Sequence, residues 1–415
     1  MPLSLVVSIL VFLMIAIRQW LPEWVRIWQI MTAGAVFLVL TGTISPEESL
    51  EAVDWNVIAY LFGVFAISQA LFASGISEKV GKGICADGHS IPKILFLFIA
   101  FVTAISAILT NDAAAAIGTP IAIAIAASLG IGVRLPLIVL CVTVTVGSMF
   151  SPVGNPQNLL IVADGKFDNP VAEFLIWLAV PGLISLAFTL FWFSYRLSRE
   201  PAGNSPAEVT HEKATRRQWP SLLSTVLLCA LVILDSLASG AEWLPDLPLG
   251  VLSLVAAAPL FFFSSRRLQL IKNVDWHTLI FFAAMFIVTG AVLKSGALQE
   301  WLGPWHDRLG EPEFITGIAF LGSQIFSNVP LVEIYLHLLK ESDTAALMLL
   351  SGVSTLAGNL FIISAASNVI IVQQSERHGV NPFRFWEFTV AVLPVTIVSL
   401  LACTLWVSFL AAILD

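Results

Sequence analysis

The residues best placed to do chemistry are Thr110, Asn111 and Asp112, which open the stretch Thr110–Pro120, TNDAAAAIGTP. Ile94–Leu109 before them and Ala113–Leu129 after Asp112 hold no charged residue, so a hydroxyl, an amide and a carboxylate stand together between two apolar arms. At membrane depth an Asp costs about 2.5–3.5 kcal/mol on insertion scales, which makes such a residue a functional candidate by default. The chemistry open to Asp112 is proton or cation binding, with Thr110 and Asn111 as neutral donors and acceptors beside it. A plainer role is N-cap of the arm that follows, accepting from backbone N–H groups. Both roles can coexist.

Three further polar breaks match this one. Ser327 and Asn328 open SNVP about half a chain later, and Glu333 lies five residues beyond Asn328 as a second proton-coupling candidate. SPVGNPQN supplies Ser151, Gly154, Asn155 and Asn158, and a fourth break supplies Gly358, Asn359, Ser367 and Asn368. Two prolines and a glycine within five residues cannot sit in a continuous helix. Freed carbonyls at half-helix C-termini suit Na⁺ and freed N–H groups at N-termini suit an anion. Asn111, Gly154, Asn328 and Gly358 are therefore the candidate Na⁺ positions. The alternative is plain capping at the tips and kinks satisfied by neighbours or water. We read the four breaks as converging on one ion or solute site. No Lys or Arg falls inside a span, so a fixed positive anchor for an anion is missing. A neutral or cationic substrate exchanged against protons fits Asp112 more simply. His337 stands four residues after Glu333, a spacing open to a metal pair, but a lone pair is weak evidence and a surface or core role is the favoured reading. No P-loop motif appears, so ATP-driven pumping has no support.

The elements that must position these residues are membrane helices. The chain is 58% hydrophobic and 12% charged, against about 25% charged in soluble domains, and apolar runs of 16 residues or more recur along it. Cys85, Cys141, Cys229 and Cys403 are far apart and form no CxxC, so neither a disulfide framework nor a metal cluster is indicated. The start, MPLSLVVSIL, lacks a basic n-region and reads as a first span. The expected fold is an all-α polytopic membrane protein of two inverted repeats with five spans each. Residues 1–195 form the first, with a re-entrant helical hairpin at about 93–129 and an interrupted span at 135–163. A cytoplasmic linker covers 196–219. Residues 220–415 form the second, with a hairpin at about 313–340 and an interrupted span at 344–373. The repeat shows in letters: Val53-Asp54-Trp55 matches Val274-Asp275-Trp276 and, at the same offset, Ser74-Gly75 matches Ser295-Gly296. Asn111 pairs with Asn328, and Gly154-Asn155 with Gly358-Asn359. With the linker inside, only Lys166, Lys294, Arg308 and Lys340 of the 20 Lys and Arg fall outside. That asymmetry predicts both termini on the extracytoplasmic side.

TNDAAAAIGTP, GNPQNLLIV, SNVP and STLAGNLFIISAASN together resemble the ion transporter superfamily, on the side of the arsenite permeases, the NhaD-type antiporters and the YbiR-type anion permeases. The resemblance covers nearly the whole chain. It implies inverted repeats with re-entrant hairpins and interrupted helices, a homodimer held by scaffold helices, and elevator-like movement of the site-bearing part. It also implies that Thr110, Asn111, Asp112, Ser327, Asn328 and the two glycine-asparagine breaks line the substrate and ion sites. Dicarboxylate members carry Ser-Asn-Thr at both tips, whereas here the tips read Thr-Asn-Asp and Ser-Asn-Val.

The function expected is secondary active transport of a small inorganic solute or oxyanion, coupled to H⁺ or Na⁺, with arsenite or antimonite efflux as the first choice. Alternatives are Na⁺/H⁺ antiport, sodium-coupled anion or dicarboxylate symport, and a receptor or scaffold that moves nothing. No enzyme activity is expected, because no Ser/His or Asp/Asp catalytic motif appears at membrane depth. The expected partners are the solute, the lipid bilayer and a second copy of the chain, with no nucleic acid and no cofactor beyond the coupling ion. A bacterial or archaeal inner membrane is the expected location.

Overall fold

A computed structural model describes residues 2–16, 22, 25–86, 88–164, 167, 169–200, 219–238, 248–264, 267–296, 308–326, 328–339 and 343–414. The described part is all-helical. The first half runs α1 (Leu3–Ala16), α2 (Ile27–Leu40), α3 (Pro46–Ala52), α4 (Trp55–Ala73), α5 (Ile76–Ile84), α6 (Ile91–Ile108), α7 (Asn111–Leu129), α8 (Arg134–Gly147), α9 (Pro156–Asp164) and α10 (Pro170–Leu197). The second runs α11 (Trp219–Ala238), α12 (Leu249–Phe263), α13 (Arg267–Asn273), α14 (Trp276–Lys294), α15 (Pro312–Phe326), α16 (Asn328–Leu338), α17 (Thr344–Ala357), α18 (Ala366–Arg377) and α19 (Phe385–Leu414). Residues 201–218, most of the expected linker, lie outside the described residues, as do Ser327, Lys166 and Lys340.

The repeat is built into the packing. In the first half α4 lies along α12, and in the second its counterpart α14 lies along α2. Likewise α6 packs on α8 as α15 packs on α17, and α7 packs on α18 as α16 packs on α9. The last pair crosses between halves, so each hairpin leans on the other half's interrupted span. Long helices α10 and α19 close the bundle against each other, tied where the Trp192 indole donates to the Ala391 carbonyl at 3.1 Å.

The Val-Asp-Trp repeat has a structural explanation. Asp54 caps α4 by accepting from the backbone N–H groups of Asn56 and Val57, and Asp275 caps α14 by accepting from that of Thr278. Each cap satisfies N–H groups that a helix start leaves without partners. The following tryptophans reach back five residues in the same way: Trp55 donates to the Leu50 carbonyl at 3.1 Å and Trp276 to the Ile271 carbonyl at 2.8 Å. The motif therefore joins a short helix to a long one in both halves. Lys294, at the end of α14, pairs with Glu48 on α3 and holds that carboxyl below its ordinary range.

The hairpin arms are unequal. α6 and α7 have 18 and 19 residues, about 27 Å each at 1.5 Å per residue. They are longer than the apolar runs alone suggested, because α6 begins at Ile91 with Pro92 in its first turn, where the missing N–H costs nothing. In the second hairpin α15 has 15 residues and α16 only 11, about 22 and 16 Å. Those arms fall short of a hydrocarbon core of about 30 Å.

The repeat alignment also shifts at the breaks. α8 and α17 each have 14 residues and end at Gly147 and Ala357. Asn158 then donates to the Ser148 carbonyl and Asn368 to the Gly358 carbonyl, both at 3.1 Å and both ten residues back. The structural partner of Gly358 is thus Ser148, and that of Asn368 is Asn158. The letter match of Gly154-Asn155 with Gly358-Asn359 is displaced by six residues from this geometry.

Close helix approach sets a test. A Cβ on Gly63 would stand 2.8 Å from the Ser253 backbone, and one on Gly250 would stand 2.6 Å from the Asn56 carbonyl. Small residues let membrane helices approach this closely. Gly63→Val is expected to abolish the monodisperse peak in detergent size-exclusion chromatography. Gly83→Ala, with nothing within 4 Å of its Cβ, is expected to elute like the parent.

Candidate functional site

At the first tip the chain leaves α6 at Leu109 and enters α7 at Asn111. Thr110, 1% exposed, is extended and caps α7, its hydroxyl accepting from the Ala113 N–H at 3.2 Å. The Asn111 side chain accepts from the Asp112 N–H at 2.8 Å. Capping therefore falls to Thr110 and Asn111, and not to Asp112. The Asp112 Oδ1 is buried and has no hydrogen-bond partner among the described residues. The Asn111 N–H donates to the Gly154 carbonyl at 2.8 Å, which fastens this tip to its own half's break.

At the second tip Asn328 is the first residue of α16, buried, with its Oδ1 unpartnered. A Cβ on Gly358 would lie 2.7 Å from Asn328 Nδ2, so this tip also sits against its own half's break. Ser327 lies outside the described residues. Pro330 falls in the first turn of α16, where proline is tolerated.

The two breaks join across the halves. Asn155 Nδ2 donates to the hydroxyls of Ser148 at 2.9 Å and Thr355 at 3.2 Å, and Gln157 Nε2 reaches the same Thr355 hydroxyl at 3.3 Å. Asn155 Oδ1 accepts from the Asn158 N–H at 2.8 Å. Asn158 Nδ2 donates to the carbonyls of Ser148 and Ser151, and its Oδ1 accepts from the Ser351 hydroxyl at 2.8 Å. The Ser151 hydroxyl accepts from the Val153 N–H. Gly154 permits this fold-back, since a Cβ there would meet the Ser148 carbonyl oxygen. The side chains of Asn155 and Asn158 are thus engaged within the protein.

The second break is different. Gln324 Nε2 holds the Ala357 carbonyl at 2.8 Å and its Oε1 accepts from Ser364 at 2.7 Å, which braces the end of α17. Beyond that brace, both side-chain polar atoms of Asn359, the Ser367 hydroxyl and Asn368 Oδ1 are buried without partners among the described residues. An unpartnered buried polar atom costs about 1–3 kcal/mol. Several such atoms from one break, with Asn328 Oδ1 from the tip against it, call for a physical account.

The site's electrostatics are set by what is missing from its walls. Among the described residues the Glu333 side chain and the Asp112 Oδ1 are buried acids, and no Lys or Arg is buried. Glu333 sits further along α16. His337 bonds the Glu333 backbone carbonyl through Nδ1 at 2.9 Å, an intrahelical contact rather than a paired metal ligand. No group of three or more His, Cys, Asp or Glu suited to a metal occurs among the described residues. Sequence reading missed Ser148, Gln157, Gln324, Ser351, Thr355 and Ser364. Their signal was a polar side chain within an apolar run.

Comparison with known proteins agrees with this architecture. The profile of the citrate transporter family matches residues 10–344. A 46 kDa membrane protein of Mycobacterium leprae is 26% identical over 91% of this chain and 92% of its own. The inner membrane protein YbiR of Escherichia coli is 26% identical over 89% and 92%. The silicon efflux transporter LSI3 of Oryza sativa is 22% identical over 88% and 89%. Among solved structures the YdaH transporter of Alcanivorax borkumensis shares the fold with a TM-score of 0.56, 14% identity and coverage of 91% and 88%.

The two breaks should respond oppositely to truncation. Asn158→Ala strands Ser351 and two carbonyls and is expected to lower the melting temperature in detergent by several degrees, for a loss of about 1–3 kcal/mol. Asn359→Ala removes two unpartnered atoms and is expected to melt at or above the parent temperature without added solute. Differential scanning fluorimetry reads both.

Proposed function

Because the chain belongs to the citrate transporter family of the ion transporter superfamily, and is therefore a membrane transporter, we propose that it moves a small neutral metalloid hydroxide of the arsenous, antimonous or silicic acid type, coupled to H⁺ or Na⁺. One observation carries this reading. The unpartnered atoms at the second tip and break are mostly acceptors, Asn328 Oδ1, Asn359 Oδ1 and Asn368 Oδ1, and among the described residues no buried Lys or Arg faces them. A polyhydroxy solute brings O–H donors and no charge to such a site. A tricarboxylate brings acceptors and negative charge, which these walls do not answer. The silicon efflux named for the rice relative is chemistry of the proposed kind.

In this account Asp112 is the coupling residue. Thr110 and Asn111 do the capping, so its carboxylate is free to exchange a proton or hold Na⁺. Glu333 is a second candidate on the opposite hairpin. The short arms of the second hairpin favour re-entry over crossing. Rigid movement of the tips and breaks against α2, α4, α12 and α14 would give alternating access, and those paired helices suit a homodimer scaffold. A bacterial inner membrane with the 201–218 segment in the cytoplasm fits the charge asymmetry. A Na⁺/H⁺ antiporter is the second reading, favoured because the same acceptors suit a dehydrated cation.

Proteoliposomes loaded with a pH dye test this. Addition of arsenite or silicic acid is expected to drive proton flux, and citrate is not. Asp112→Asn is expected to remove the pH dependence while leaving solute binding intact. A response to Na⁺ alone would replace the proposal by antiport, and a response to citrate alone would contradict it.

A further inference from the structure

A groove of about 560 Å³ runs between the start of α6 and the last third of α10, away from the tips and breaks. Its apolar end is an exposed face: Pro92 from α6, with Ala187, Leu190 and Phe191 from α10. Its mouth is polar: Ser194, Tyr195, Ser198 and Arg199. Ala187, Phe191, Ser194 and Ser198 follow one another at helical spacing, so the groove tracks a single face of α10 for about 16 Å.

The mouth is cationic and set in place. The Arg199 guanidinium lies 4.1 Å from the centroid of the Tyr195 ring, a stacking that restrains the side chain and leaves its donors free. Arg196 stands 6.0 Å from the Trp192 ring on the same helix end, and exposed Lys93 follows Pro92 across the groove. Neither arginine is in an ion pair among the described residues. Two observations beside the charges point to a ligand. The Ser194 hydroxyl is buried on the groove without a hydrogen-bond partner. Ser90 also makes no side-chain cap at the start of α6; Pro92 has no N–H and Ile94 bonds the Ser90 carbonyl, which leaves the Lys93 N–H for a ligand there.

We propose that this groove holds one anionic phospholipid, with an acyl chain along Ala187, Leu190 and Phe191 and the phosphate between Arg199, Ser198 and the start of α6. An apolar face ending in a stacked cation beside an uncapped helix start matches an acyl chain ending in a phosphodiester. The Lys and Arg distribution of the sequence assigns this mouth to the cytoplasmic face, the leaflet whose anionic lipids attract basic residues.

Native mass spectrometry of the detergent-purified full chain tests the proposal, with phosphatidylglycerol and phosphatidylethanolamine added in equal amounts. One phosphatidylglycerol per chain is expected to survive activation that strips phosphatidylethanolamine. Arg199→Glu is expected to weaken phosphatidylglycerol retention about tenfold. Ala187→Trp, which fills the apolar wall and keeps every charge, is expected to weaken it by a similar factor. Arg377→Glu, at the exposed C-terminal end of α18, is expected to change nothing. Size-exclusion profiles like the parent's confirm that each variant folds. Equal retention of the two lipids overturns the proposal, as does full retention in Arg199→Glu. Loss in Arg199→Glu with full retention in Ala187→Trp overturns the seated acyl chain. Displacement by millimolar inorganic phosphate would assign the mouth to free phosphate instead.

Discussion

The structure depends on one constraint: at membrane depth a backbone or side-chain polar group must find a partner in the protein or face something polar that enters. Four helix interruptions violate local satisfaction, and the fold answers them unequally. The first break is closed by Asn155, Gln157 and Asn158, which bond to Ser148, Ser151, Ser351 and Thr355. The second is braced by Gln324 with Ser364 and by Asn368 Nδ2 on the Gly358 carbonyl, while Asn359, the Ser367 hydroxyl and Asn368 Oδ1 stay without partners among the described residues. Two halves built from the same helices therefore divide the work. The first break acts as a joint between the halves, and the second leaves unpartnered the polar atoms on which the proposed solute site rests.

The same division runs through the tips. Both begin with an asparagine at the start of a helix, yet the first adds Asp112 where the second has Val329. Thr110 takes over the cap, so the carboxylate is not needed to end the helix. The chain thus carries a titratable group at one tip and neutral acceptors at the other. That arrangement suits coupling of a proton to a solute that is itself uncharged.

Much of this was legible in the sequence. A polar pair between uncharged apolar arms located the first hairpin, and the recurring Val-Asp-Trp gave the repeat and its length. The distinction between the breaks was not legible, because it depends on contacts such as Asn155 to Thr355, which lie 200 residues apart. Identical letters misled in one place. Gly154-Asn155 looks like Gly358-Asn359, but both halves fold back over ten residues, and geometry pairs Ser148 with Gly358, six residues before the letter match. The choice of cap was not legible either: the sequence left capping open as a plainer role for Asp112, and only the extended backbone of Thr110 gives it to Thr110.

The measurement that tests the central claim most directly is anomalous X-ray diffraction at the arsenic edge, on crystals grown with arsenite. The account predicts one arsenic peak within hydrogen-bonding reach, about 3–4 Å from As, of the Asn328, Asn359 and Asn368 side-chain oxygens. A peak seated instead among Ser148, Asn155 and Asn158, or no peak at saturating arsenite, would contradict it.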